Sequence, residues 1–514
     1  MTVKTLSAVE KLDNAYIEDA SEKVSDSQQE VVVREFDPKF MRKTMLKLDL
    51  ILMPLLTLIY LASSLDKSNL GNAKSLGMMK DLGHDPTGDT YALLSSLYYV
   101  SYAPFMVPFA LLGKRTRMVS VLTLCALLWG IAATCFAGAQ NYSGAFACRF
   151  FIGLGEAGFS PLIQVFLSRF YAREKLGIRV AVWLAMAPLG GFVNGIVAYG
   201  VSFIHVKLES WRILFMIEGG ATVAIAIIAI IVLPDNIQSC KWFTAEEKDY
   251  LVMYERYMSM GPEVKEINWK QARGALYRWP QVMPMLINMC QQITGAALSA
   301  YLPTLLSENG FKGATAQIAT LAPYGSAAIC MIIAAKISDR FGNRGWPTQF
   351  GWLLLIVGFG LFLGTPTSNK PAHFAALILA ETGHYSMSSS TPNWNPSLTV
   401  VPVCTPLIVT WSANNAGSES RRAVAVPLAV ALAQAVAIGS GYLFPASEGP
   451  RYTRGAIVEV ALSTAGMLFT FIYMGLIRWE NARRDKREGG PPAIGLRPNT
   501  AQDADEAEGF RYIG

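Results

Sequence analysis

The chain has 514 residues, of which 52% are hydrophobic and 16% charged, with a formal net charge of +6. Soluble proteins carry about 25% charged residues, so this composition excludes an ordinary soluble globular chain, and a mean hydropathy of +0.31 points to a surface that faces lipid. The positive balance is no nucleic-acid footprint, because the basic residues sit in short clusters between apolar runs, where they set membrane topology.

Residues 1–45 are polar, lack a signal peptide and are expected to be a disordered cytoplasmic tail. A bilayer core about 30 Å thick takes about 20 apolar residues in a helix. Runs of that kind lie near 48–66, 91–113, 118–138, 142–166, 178–203 and 212–233. After a charged stretch, six more lie near 281–306, 314–337, 346–365, 372–411 with an interruption, 423–444 and 455–477. The expected architecture is an all-α membrane protein of about twelve transmembrane helices in two six-helix bundles, 46–233 and 280–479. A cytoplasmic loop, 234–279, joins the bundles, and a cytoplasmic tail, 480–514, is expected to be disordered. Within the loop, Thr244 followed by Glu247 forms the pattern of a capping box and predicts a short amphipathic helix.

Charge asymmetry sets the orientation. An inside N-terminus places on the cytoplasmic side Lys114, Arg115 and Arg117, then Arg169, Arg173, Lys175 and Arg179, then Lys336, Arg340 and Arg344, then Arg421 and Arg422. The opposite loops are poor in basic residues, with Lys74 and Lys80 as exceptions, so both termini are expected in the cytoplasm. Asn141-Tyr142-Ser143 is then an outward N-x-S acceptor, which makes Asn141 a glycosylation candidate.

The seven cysteines form no C-x-x-C pair and the four histidines are scattered, so neither a metal centre nor a cofactor is expected. Gly190-Gly191 lies inside an apolar run with no following Lys-Ser or Lys-Thr, so no nucleotide loop is read there. No constellation of nucleophile, base and orienting group suggests an enzyme.

Charged and amide side chains inside apolar runs mark functional sites, because they are expensive in lipid. The first such group is Leu65-Asp66-Lys67-Ser68-Asn69-Leu70-Gly71-Asn72-Ala73 at the end of the first run. The second is Arg149-x-x-x-Gly153-x-Gly155-Glu156-Ala157, where Arg149, Gly153 and Glu156 share one helical face and the glycines permit close packing. The third is Ser338-Asp339-Arg340-Phe341-Gly342-Asn343-Arg344 after the eighth run. Further groups are Ala322-Pro323-Tyr324, Trp411-Ser412-Ala413-Asn414-Asn415-Ala416-Gly417, Pro450-Arg451-Tyr452 and Trp211-Arg212 with Glu218. Arg212 and Glu218 share no face, so Glu218 is expected to pair elsewhere.

Over about residues 45–480 the chain resembles the major facilitator superfamily, and within it the fungal anion:cation symporters of the allantoate permease family. The first group matches that family's L-D-R-x-N-x-G-N-A with lysine in place of arginine, and the third matches the superfamily's cytoplasmic D-R-x-G-x-R loop. The resemblance implies substrate contact at Asp66, Lys67, Asn69, Tyr324 and Asn414, with Lys67 attracting an anion and Asp66 balancing it. It implies proton coupling at Arg149 and Glu156 and gating by Asp339, Arg340 and Arg344. The implied activity is proton-coupled symport of a small organic anion by a monomer in the plasma membrane, with no nucleic-acid partner. Export of a fungal metabolite is the alternative, and a non-transporting nutrient sensor a remote one. Residues 388–403, with Pro392, Pro396 and Pro402, depart from the family and read as an insertion or a retained intron, which the transcript sequence decides.

Overall fold

The computed structural model describes residues 38–83, 88–171, 179–258 except 181 and 205, 269–387 except 312–313 and 342–344, 411–492 except 413–414 and 418, and 504–512. Among the described residues, twelve long helices run in order: α1 Pro38–Ser75, α2 Asp89–Arg115, α3 Met118–Phe136, α4 Tyr142–Ser168, α5 Met186–Val201 and α6 Ser210–Val232, then α7 Trp279–Glu308, α8 Leu321–Phe341, α9 Gly345–Gly364, α10 Lys370–Ser386, α11 Glu419–Val436 and α12 Thr453–Glu488. No strand occurs among the described residues. The chain divides into two units between Asp49 and Leu50, inside α1, and everything described below belongs to the second.

Ten spans among the described residues are long and apolar enough to cross a membrane. The two remaining long helices are α7, which carries Gln281, Asn288, Gln291 and Gln292, and α10, which has only 17 residues. Large apolar side chains such as Leu124, Ile231, Ile329 and Leu468 lie more than half exposed on the spanning helices, as a lipid-facing surface requires. The apolar run expected to continue from α10 to residue 411 stops at Ser386, and the segment 388–403 lies outside the described residues.

Helix ends follow local chemistry. Asn141 caps α4 by accepting from the Gly144 backbone N–H at 2.9 Å, and Asn369 caps α10 in the same way. The capping box in the central loop forms as its sequence predicts: Glu247 accepts from the Thr244 N–H at 2.9 Å, and Thr244 Oγ1 accepts from the Glu247 N–H at 3.3 Å. The helix it starts runs Ala245–Met258. Gly489, at φ +82°, ends α12 in the left-handed conformation that glycine adopts without strain.

Packing is tightest where glycine replaces a side chain. A Cβ on Gly153 would lie 2.3 Å from the Tyr98 carbonyl oxygen of α2, and one on Gly155 would lie 2.8 Å from the Trp129 nitrogen of α3. These two glycines let α4 sit against α2 and α3 at once. Arg212 does not reach Glu218; it pairs with Asp81 of a short helix, Met78–Leu82, at 2.6 Å and donates to the Ala137 carbonyl at 2.7 Å. The Glu218 carboxylate is buried with neither oxygen hydrogen-bonded, so the pair expected for it is not seen.

The expectation of a disordered C-terminal tail is corrected by residues 504–512. α12 extends past the apolar run to Glu488, and the chain then returns to it. Asn481 donates to the Tyr512 carbonyl and accepts from the Tyr512 N–H, at 2.8 and 2.9 Å. Arg511 bridges Asp485 and Glu488 at 2.8 and 2.9 Å. Asp505 is fully buried, pairs with Arg421 at the start of α11 and with Arg278 just before α7, and accepts from the Tyr512 hydroxyl at 2.8 Å. Burial and that carboxylate push the Tyr512 phenol up, so it remains a donor. The docking leaves no local signal, because the partners of residues 504–512 on α7, α11 and α12 lie at least about twenty residues away in sequence.

Candidate functional site

Glu156 is the best-connected buried acid on the spanning helices among the described residues. Its exposure is 1%, and one carboxylate oxygen accepts from Ser63 Oγ at 2.6 Å and from the Tyr98 hydroxyl at 2.8 Å, with Lys67 Nζ at 3.9 Å. α1 thus supplies Ser63 and Lys67, α2 supplies Tyr98 and α4 supplies Glu156. An ionised carboxylate in an apolar interior is tolerated only with such compensation. Lys67 also sits over the Tyr102 ring, 5.8 Å from its centroid.

The sequence pairs Lys67 with Asp66; the structure exchanges the partners. Adjacent residues on a helix point about 100° apart, so Asp66 turns away from Lys67 and lies with Arg149. Arg149 is 3% exposed and donates to the Asp66 backbone carbonyl at 3.5 Å. Both Asp66 carboxylate oxygens are buried without a hydrogen bond, within Coulombic reach of Arg149 and Lys67. The Asn69 amide, at 0% exposure, is also unbonded. The cluster therefore holds two cations and two acids with hydrogen-bonding capacity to spare, as expected where a polar ligand or a proton is exchanged.

Lys67 and Arg149 line a pocket together with Ser95, Tyr98, Tyr99 and Ala300, the last from α7. Its free volume is about 10 Å³, so it is shut around at most a single water in this conformation. Tyr324 is buried in α8, and its ring rests on Gly191 of α5, where a Cβ would approach to 2.5 Å. The Tyr385 ring lies 6.4 Å from it.

Other expected site residues lie elsewhere. Asp339 and Arg340 fall in the last turn of α8, with side chains outside the described set, as are Arg344 and Asn414 entirely. Asn415 is buried and structural: it donates to the Tyr473 hydroxyl at 2.8 Å, and its carbonyl accepts from Gln281 at 3.0 Å. Ser63, Tyr98 and Asn194 escaped the sequence reading. Asn194 on α5 donates to Ser68 Oγ at 2.6 Å and to the Leu65 carbonyl at 3.0 Å, and accepts from Asn72 at 2.7 Å, locking α5 to the signature segment of α1. An asparagine inside an apolar run was the available signal for it.

Three hydrogen bonds between α1–α6 and the α7–α12 region gather at one end of the molecule, where α1 finishes and α2 begins. Tyr91 donates to the Ala300 carbonyl, Ser96 to the Ile438 carbonyl and Gln317 to Ser75 Oγ, at 2.5, 2.6 and 2.6 Å.

A bundle of apolar helices that shuts buried charges and tyrosines between its first and last six helices has the architecture of a membrane carrier. A family model described as Major Facilitator Superfamily matches residues 56–406, more than half of the chain. The chain belongs to that superfamily and is a multi-pass membrane transporter. Among curated relatives, the MFS-type transporter efuF of Hormonema carpetanum is 31% identical over 88% of either chain. The high-affinity nicotinic acid transporter of Saccharomyces cerevisiae is 26% identical, over 86% of this chain and 79% of that one. Among solved structures, the xylose transporter XylE from E. coli matches with a TM-score of 0.61 at 14% identity, covering 82% of this chain and 97% of that one.

Proposed function

We propose that the chain is a proton-coupled symporter of a small organic anion, of the allantoate permease type, in the plasma membrane with both termini in the cytoplasm. The observation that carries this reading is the charge count of the central cluster. Asp66 and Glu156 balance Lys67 and Arg149 when all four are ionised. An incoming anion leaves that buried site one negative charge in excess, which is costly in low dielectric. A proton on either carboxylate restores the balance, so anion and proton favour each other's binding, and linkage makes the effect reciprocal. That a relative carries nicotinic acid, a small carboxylic acid, fits the same chemistry.

Lys67→Ala is expected to raise the KM for the anion at least about tenfold, since it removes a cation that lines the pocket and leaves the buried Glu156 carboxylate without its ion pair. Lys67→Arg keeps the charge and is expected to retain uptake. The measurement is acid-stimulated uptake in a transport-deficient host, with nicotinate as the first of a panel of carboxylates. An unchanged KM in the alanine variant, for whichever carboxylate is taken up, would remove Lys67 from the binding site.

Orientation has its own test at Asn141, which is exposed at the start of α4. Its amide oxygen caps the helix, whereas a glycan would be attached through the nitrogen, so cap and glycan do not compete. Asn141→Cys is expected to react with an impermeant thiol reagent on intact cells. Labelling only after permeabilisation would invert the topology.

A further inference from the structure

Lys74 is out of place by the charge rule that orients the rest of the chain, and the structure gives it a task. It lies two helical turns beyond Lys67 on α1, on the same face. Its ammonium stands 4.1 Å from the Tyr91 ring centroid and 5.1 Å from that of Tyr301. Tyr91 belongs to α2 and Tyr301 to α7, so one cation bridges an aromatic ring from each half of the helix order. The two rings meet edge to face at 5.3 Å. The Tyr91 hydroxyl also closes the seam by donating to the Ala300 carbonyl at 2.5 Å, while Tyr301 is held on its own side by donating to the Gly441 carbonyl. Gly71 makes the close approach possible, since a Cβ there would lie 2.7 Å from the Ala300 oxygen.

This seam separates two cavities. On one side is the shut central pocket, which Lys67 and Ala300 line. On the other is a cavity of about 250 Å³ lined by Lys74, Ser75, Met79, Lys80 and Tyr91. Tyr91 faces the larger cavity and Ala300 the smaller, so a single tyrosine-to-carbonyl hydrogen bond spans the wall between them. Among the described residues, the lining of the large cavity contributes two ammonium groups, those of Lys74 and Lys80.

We propose that this outer cavity is a second anion-binding site, with Lys74 both its cation and the latch of the outer gate. An anion arriving there draws the Lys74 ammonium off the two rings, because a full charge attracts it more strongly than a ring quadrupole does. Tyr91 and Tyr301 then lose the cation that holds them together, the seam parts, and the anion passes two turns along α1 to Lys67. The identity of the natural anion and the outward placement of this cavity rest on the reading above, the placement being tested separately by Asn141→Cys; the lysines of the cavity and the contacts of the latch do not.

The test uses thiol labelling of the full-length carrier in intact cells, so it needs no transported substrate. Exposed Cys135 is replaced by serine in every variant. A Met79→Cys reporter sits in the outer cavity and a Ser95→Cys reporter in the central pocket. Two impermeant methanethiosulfonate reagents are compared, one bearing a sulfonate and the other a trimethylammonium group. The Met79 reporter is expected to favour the sulfonate reagent. Lys74→Met is expected to reduce that preference at least about threefold and to speed labelling of the Ser95 reporter by at least about threefold, the range set by losing a cation–π contact. Tyr91→Phe is expected to speed the Ser95 reporter without changing the preference, and Lys74→Arg to change neither. With all variants at the cell surface, an unchanged charge preference in Lys74→Met overturns the anion site. An unchanged Ser95 rate in both Lys74→Met and Tyr91→Phe overturns the latch.

Discussion

Arg149→Ala is expected to lower uptake at least about a hundredfold at unchanged surface abundance, since truncating one member of a buried charge pair costs about 2–5 kcal/mol, much of it from the charge left behind. The charge left behind is Asp66, which is 1% exposed and has no hydrogen bond to either carboxylate oxygen. Lys67 cannot take over, because its acidic partner is Glu156. The second variant of the pair, Asp66→Asn with Arg149→Ala, removes the stranded charge and is expected to leave uptake lost, which separates the need for the cation from the cost of the charge left behind. Uptake at wild-type level in the single variant would make Arg149 a packing residue.

Asp505→Ala is expected to release the returning segment from the ends of α7, α11 and α12. Asp505 is fully buried between Arg421 and Arg278, and removing one partner of such a pair costs about 3–5 kcal/mol. Arg484, whose Nη1 donates to the Asp505 carbonyl at 2.5 Å, keeps that backbone contact only while the segment stays docked. The measurement is limited trypsin digestion of purified carrier, which cuts after arginine once a segment opens locally. Cleavage at Arg484 and Arg511 is expected to speed up strongly in the variant. An unchanged rate would show that Asn481, Asp485 and Glu488 hold the segment without Asp505.

The helices were legible because lipid imposes one demand on every spanning segment, an apolar run of fixed length, and that demand is written locally. It weakened at α7 and α10. Gln281, Asn288 and Gln291 make α7 polar because its buried face meets other helices, with Gln281 bonded to the Asn415 carbonyl and Asn288 to that of Ala429. The charged core was legible as well: Asp66, Lys67, Arg149 and Glu156 announce themselves as ionisable residues in apolar runs.

Which of those charges face each other was not legible. Neighbours in sequence, Asp66 and Lys67, point to different partners, and the partners come from a helix more than eighty residues away. The same holds for Lys74, which looks like a stray basic residue until Tyr91 and Tyr301 are brought onto it from two other helices, and for Asp505, whose arginines lie in separate turns of the chain. The helical membrane class, the superfamily and the ionisable residues inside apolar runs were legible in the sequence, since each depends on composition or on a few adjacent positions. Only the tertiary structure decided the pairing of charges, the wall between the two cavities and the docking of the tail, because those depend on distances between helices that no local pattern encodes.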